Sequence, residues 1–117
     1  MKSTTGWKES LIMPNKEKAI NLLTMCRRAG KLTLGFDASM DSVKAGIAPV
    51  AVIADDISAK TVKEVRFICG RNNAKVLKGG ILTEDFFTLF HKTYGVAAVC
   101  DKGFAKKLCE YLDESEE

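Results

Sequence analysis

The apolar positions of this chain fall into two periods. Val50-Ala51-Val52-Ile53-Ala54 is an unbroken run of small and β-branched residues that stops at Asp55 and Asp56. A strand wet on one face alternates polar and apolar. This one does not, so it reads as buried on both faces, at the centre of an α/β sheet. Pro49 fits at its entry, where no ladder hydrogen bond is lost. Val96-Ala97-Ala98-Val99-Cys100 is a second run of the same kind. Shorter strands are predicted at Leu32–Leu34 and Ala74–Leu77.

Between the strands the period becomes helical. Ala19, Leu22, Leu23 and Cys26 form one stripe, which predicts a helix from about Asn15, as N-cap, to Ala29. Phe36, Met40, Val43 and Ile47 predict a second helix, broken by Gly46. Ser58 caps a third, with Thr61, Val62, Val65, Ile68 and Cys69 inward and Gly70 and Asn72-Asn73 at its end. Thr83 caps a fourth, carrying Glu84 and Asp85 in its first turn, Phe86, Phe87, Leu89 and Phe90 as core, and Gly95 at its end. Asp101 caps a fifth, with Phe104, Leu108, Tyr111 and Leu112 inward.

The order is αβαβαβαβα. Short connections and strict alternation predict a three-layer α-β-α sandwich around a four-stranded mixed sheet. Residues 14–117 read as a single α/β domain with a short acidic tail. Residues 1–13 follow no clear stripe and read as a flexible leader or a start-site artefact, because Met13-Pro14-Asn15 offers an internal start; the intact mass of the native protein decides this.

Composition changes this picture little. A length of 117 residues suits one core, and 46% apolar with 28% charged residues is ordinary for a globular domain. No apolar run approaches a membrane span and no secretory pattern opens the chain, so a cytoplasmic protein without a membrane partner is expected. Cys26, Cys69, Cys100 and Cys109 lack paired ligand spacing, and His91 is the lone histidine. Buried reduced thiols are expected, with no metal and no cofactor.

Charge adds an asymmetry. Asp113, Glu114, Glu116 and Glu117 crowd the end of the chain, and setting them aside takes the net charge from +3 to +7 for the body. A basic body is compatible with nucleic acid and does not demand it.

The stretch with most chemical content runs from Arg27 to Asp37. A strand ends at Gly35 and a helix begins there, so the first amides of that helix lack intrahelical acceptors. Gly35 has no side chain to block close approach, and Lys31 supplies positive charge nearby in sequence. Such a start can receive a phosphate or a base edge. Many turns carry a glycine for chain geometry alone, and spacing by itself favours that plainer explanation.

Arg28-Ala29-Gly30-Lys31, Gly35 opening a helix, and the apolar strand ending at Asp55-Asp56 occur together here. So do Ser58-Ala59-Lys60-Thr61 and the stretch Asp101-Lys102-Gly103-Phe104-Ala105-Lys106-Lys107-Leu108. In these features residues 18–112 resemble the kink-turn-binding ribosomal proteins of the large-subunit seven-Ae and thirty-e type, and especially their small bacterial relatives. The resemblance implies an α-β-α sandwich that binds RNA at a kinked internal loop with tandem sheared G·A pairs. It implies a non-enzymatic, ribosome-associated protein with ribosomal or structured regulatory RNA as partner, and possible ribosomal or other protein partners.

The family's RNA-contacting motif is Gly-x-Asn-Glu-x-x-Lys. Gly35 matches its glycine, while Asp37 stands at the asparagine, Ala38 at the glutamate and Asp41 at the lysine. Asp37 accepts hydrogen bonds but has no amide to donate, Ala38 does neither, and Asp41 opposes phosphate. The second family contact maps to Lys78-Gly79-Gly80-Ile81-Leu82, a basic, pliable loop whose apolar pair can cover a flipped base. The candidate RNA-binding residues are therefore Lys31, Gly35, Phe36, Asp37, Lys44, Lys78, Gly79 and Gly80. Two rivals stand beside this. One is a protein-interaction module on the same fold with weakened or lost RNA recognition, favoured by Asp37, Ala38 and Asp41. The other is a magnesium-dependent enzyme built on Asp55 and Asp56, weaker because no nucleophile–base set lies near them in sequence.

Overall fold

A computed structural model describes residues 15–115, and the leader expected at residues 1–13 lies outside them. The elements are α1 (Asn15–Arg28), β1 (Leu32–Leu34), α2 (Phe36–Lys44), β2 (Val50–Ile53), α3 (Ala59–Arg71), β3 (Lys75–Lys78), α4 (Thr83–Phe90), β4 (Val96–Val99), α5 (Lys102–Tyr111) and β5 (Asp113–Glu114). The sheet order is β1-β4-β2-β3-β5, with β2–β3 parallel and the other pairs antiparallel.

The sheet thus has five strands, not the four expected. The fifth is part of the acidic tail. Leu77 faces Glu114 and Lys78 faces Asp113 across it, and the Ser115 amide donates to the Val76 carbonyl at 2.7 Å. The Ser115 hydroxyl then accepts from Arg66 Nε at 3.2 Å and Nη2 at 2.8 Å. A two-residue edge strand uses only its backbone, so its side chains carry no hydrophobic period. Charge on such an edge also discourages pairing with another chain.

β2 and β4 are buried on both faces throughout. Alternate residues feed two cores. Val50, Val52, Ala97 and Val99 pack with α1, α4 and α5 through Leu23, Phe86 and Leu108. Ala51, Ile53, Val96 and Ala98 pack with α2 and α3 through Met40, Val43, Val65 and Cys69. That division makes the three layers.

Several details differ from expectation. Ile47 lies past the end of α2 and is exposed, because the helix stops at Lys44 and Gly46 turns with φ +76°. Gly70 sits inside α3, whose end is made by Asn72, its Nδ2 donating to the Ile68 carbonyl at 2.7 Å. α4 ends at Phe90, with left-handed His91 as its C-cap, well before Gly95. Phe87 points away from the core and is 55% exposed, since it stands one helical step, about 100°, round from buried Phe86. Cys26 and Cys69 are buried as expected, but Cys109 is exposed on the outer face of α5.

Candidate nucleic-acid interface

Strand direction decides which loops meet. β1, β2 and β3 run the same way and β4 runs against them. The carboxyl ends of the first three and the start of the fourth therefore share one rim of the sheet. Hydrogen bonds tie this rim together. Gly35 N–H donates to the Val96 carbonyl at 2.8 Å, Ala54 N–H to Gly95 at 2.9 Å, and Asp55 N–H to Ile81 at 2.8 Å. Crevices of this kind, outside the carboxyl ends of strands, are where open α/β sheets bind ligands.

α2 begins on this rim at Gly35, whose φ of 94° and ψ of 156° lie in a region open essentially to glycine alone. The position that would carry a capping side chain therefore cannot carry one, and no side-chain cap bond is made. The Phe36, Asp37 and Ala38 amides have no intrahelical acceptor, and no other described group accepts from them. Asp37 and Ala38 are exposed, whereas Phe36 is half-buried against the second core. The Tyr94 ring lies under Gly35, in ordinary van der Waals range of a Cβ built there.

α4 begins on the same rim in the opposite state. Thr83 N–H donates to Asp56 Oδ1 at 3.0 Å and its hydroxyl to Oδ2 at 2.8 Å. Leu82 N–H donates to Asp85 Oδ2 at 2.8 Å. Leu82, not Thr83, is the N-cap residue, and Asp56 caps the helix from 27 residues away. The Thr83 amide, and then its hydroxyl, hold the Asp56 carboxyl below its ordinary pKa. Both Asp56 oxygens are thereby engaged, and no group of three or more metal-ligating side chains stands together among the described residues.

The expected site residues divide. Gly35, Phe36, Asp37, Lys78, Gly79 and Gly80 share the rim. Gly35 and the Gly79 loop are separated by three strand spacings, about 14 Å. Lys31 precedes β1 and sits at the opposite rim, its carbonyl accepting from Cys100 N–H at 2.8 Å. Lys44 is the last residue of a nine-residue helix, about 12 Å along the axis from the α2 start. The loop is also less free than its glycines imply. A Cβ on Gly79 would run into Leu112, and Ile81 is fully buried. Ile81 therefore covers no ligand, and Leu82 is half-buried at the start of α4.

Three lysines not singled out for the site from the sequence join the rim. Lys16 pairs with Asp85 at 3.1 Å, and its stem packs beside Gly80. Lys60 lies in the first turn of α3, and Lys92 lies in the segment before β4; both are exposed. Only the topology brings them together. The exposed Phe87 on α4 adds an aromatic face near the same end.

No protein-family model matches the chain. A curated relative does, the RNA-binding protein YlxQ of Enterococcus faecium, at 29% identity over 100 residues covering 85% of this chain and 95% of that protein. The fold has solved counterparts. A protein of unknown function from Bacillus halodurans superposes with a TM-score of 0.74 at 25% identity, over 80% of this chain and 95% of that one. The 15.5kD RNA binding protein of Giardia lamblia superposes with a TM-score of 0.69 at 15% identity, over 83% of each. At that identity the likeness is one of fold. No described helix is long and apolar enough to cross a membrane.

Proposed function

We propose that the protein is a non-enzymatic RNA-binding protein, similar in this to the YlxQ relative, and that it recognises structured, kink-turn-like RNA in the cytoplasm, in association with the ribosome. One observation carries the reading: the open start of α2, with three amides left without acceptors on the rim where three strands end. Those amides donate to an anionic or carbonyl edge. Gly35 lets the backbone of the RNA approach closely, Asp37 accepts from a guanine edge, and Lys78, Lys60 and Lys92 meet flanking phosphates. Phe87 offers a surface for an unstacked base.

The test is titration of a kink-turn RNA at low and moderate salt. Affinity is expected to fall steeply with salt, by close to about one unit of log–log slope per phosphate contact. A folded protein that binds no RNA even at low salt would end this reading. A second reading has its own support. Asp37 and Asp41 are exposed on the first two turns of α2, and neither is ion-paired with a described residue. They favour a protein-interaction module with reduced RNA affinity, which a partner surviving nuclease treatment would select.

A further inference from the structure

The two stretches Arg28–Lys31 and Asp101–Leu108 meet at the rim opposite Gly35. Leu32 pairs with Val99, the Lys31 carbonyl accepts from Cys100 N–H, and the Cys26 thiol donates to the same carbonyl at 3.1 Å. This rim gathers cations from every connection it contains. The α1–β1 turn brings Arg27, Arg28 and Lys31, and α2 ends on Lys44. The α3–β3 turn brings Arg71 and Lys75. The β4–α5 turn brings Lys102, with Lys106 one turn on. All of these side chains are exposed, and none is ion-paired with a described carboxylate. The acid of the β4–α5 turn is Asp101, whose Oδ2 is taken by Phe104 N–H at 2.9 Å, and Glu114 of β5 lines the same cavity as Lys75 without an ion pair to a described residue.

Helix dipoles explain only part of this. Arg27, Arg28, Lys44 and Arg71 stand in last turns, where cations are favoured. Lys31 stands just before β1 and Lys75 opens β3, and neither gains anything from a dipole. Lys102 opens α5, whose first turn holds no acid, and positive charge there opposes the dipole, while Lys106 lies one turn on and gains nothing from it. Cations placed against the fold's own electrostatics call for an external anion. Adjacent strands are about 4.8 Å apart, inside the ~8 Å screening length, so their potentials add along the rim.

We propose that this rim is a second nucleic-acid surface, which grips the phosphate backbone of an RNA helix without reading its sequence. The protein then bridges two RNA segments, one at each end of the sheet. The proposal rests on the RNA-binding reading above only for its choice of polyanion.

The test uses the full chain, a kink-turn RNA and a plain RNA duplex with no internal loop, each titrated at two salt concentrations. The variant neutralises four cations together: Arg28→Gln, Lys31→Gln, Lys102→Gln and Lys106→Gln. Its duplex affinity is expected to fall at least about tenfold, and its salt slope by about two to four. A control neutralising Lys18 and Lys63, on the flanks of α1 and α3, is expected to lose less than about twofold. Should the fourfold variant fail to fold, Lys31→Gln with Lys102→Gln is expected to lose at least about threefold. Unchanged duplex binding, an equal loss in the control, or no duplex binding by the native chain overturns the proposal. So does capture of an acidic protein by this rim with neither RNA bound. A response to the duplex without preference for the kink-turn leaves this surface standing and removes the Gly35 reading. Preference for the kink-turn with an indifferent duplex does the reverse.

Discussion

α2 and α4 start on the same rim and solve the same problem in opposite ways. Each leaves amides that no helical carbonyl can reach. α4 closes its start with two carboxylates, Asp56 and Asp85, and adds the Lys16 pair outside them. α2 begins on a glycine whose backbone angles exclude a capping side chain, and its amides stay open. The difference separates holding from binding. A start that satisfies most of its own donors, as α4 does for Leu82, Thr83 and Asp85, stabilises the fold and has little left for a ligand. A start that leaves them open gives up that stability and keeps a site.

The most damaging change to the closed side is Phe86→Ala. Phe86 is fully buried and stacks obliquely on Phe90 with ring centroids 6.2 Å apart. Its loss is expected to cost about 3–5 kcal/mol, read as a lower midpoint in urea unfolding. If α4 were a dispensable flap, the midpoint would hardly move. The open side breaks differently. Gly35→Ala forces a side chain into a glycine-only conformation, costing about 1–3 kcal/mol, though a Cβ there meets Tyr94 only at an ordinary 3.7 Å. Kink-turn affinity is expected to drop at least about tenfold as the helix start shifts. Lost stability with full RNA affinity would show that the open amides are not the contact.

Much of this division was legible in the sequence. The uninterrupted apolar runs placed β2 and β4 at the centre, because burial on both faces removes alternation. Ser58 and Asp101 cap the helices they precede, since a cap acts on its own chain neighbours. What failed was non-local. Asp56 caps a helix 27 residues on, which no local pattern reveals. Lys31 is four residues from Gly35, yet an extended strand puts them at opposite rims. Asp113–Glu114 joined the sheet through backbone bonds that leave no trace in side-chain period. Phe87 looked like core because its neighbours are, and one helical step turned it outward.

The Asp56 cap makes the closed side sensitive to acid. Its folded pKa lies below the ordinary value, so the bonds to Thr83 stabilise the native state at neutral pH. That contribution is lost as pH falls from the ordinary carboxylate range through the folded pKa. Asp56→Asn is expected to lower the melting temperature at pH 7 and to flatten its decline between about pH 5 and pH 3. Exchange of the Thr83 amide with solvent should quicken in the variant, while the Phe36–Ala38 amides, already open, exchange as before. An unaltered acid profile would mean that solvent satisfies the α4 start equally well.

The smallest expected effect tests the open side most finely. Asp37 sits in the first turn of α2, where its charge suits the helix dipole. The same charge stands beside the amides that would receive an anionic RNA edge. Asp37→Asn therefore moves two quantities in opposite directions. Stability should fall by a few tenths of a kcal/mol as the charge–dipole term is lost. Kink-turn affinity should rise about threefold, because one repulsion at the mouth of the site is removed and an amide donor is gained. The salt slope should hardly change, since no phosphate contact is added. If stability falls and affinity falls with it, the guanine edge needs the charged carboxylate of Asp37 and a neutral acceptor does not replace it. If stability falls and affinity holds, the RNA does not reach α2, and the carboxylates on this helix belong to a protein partner.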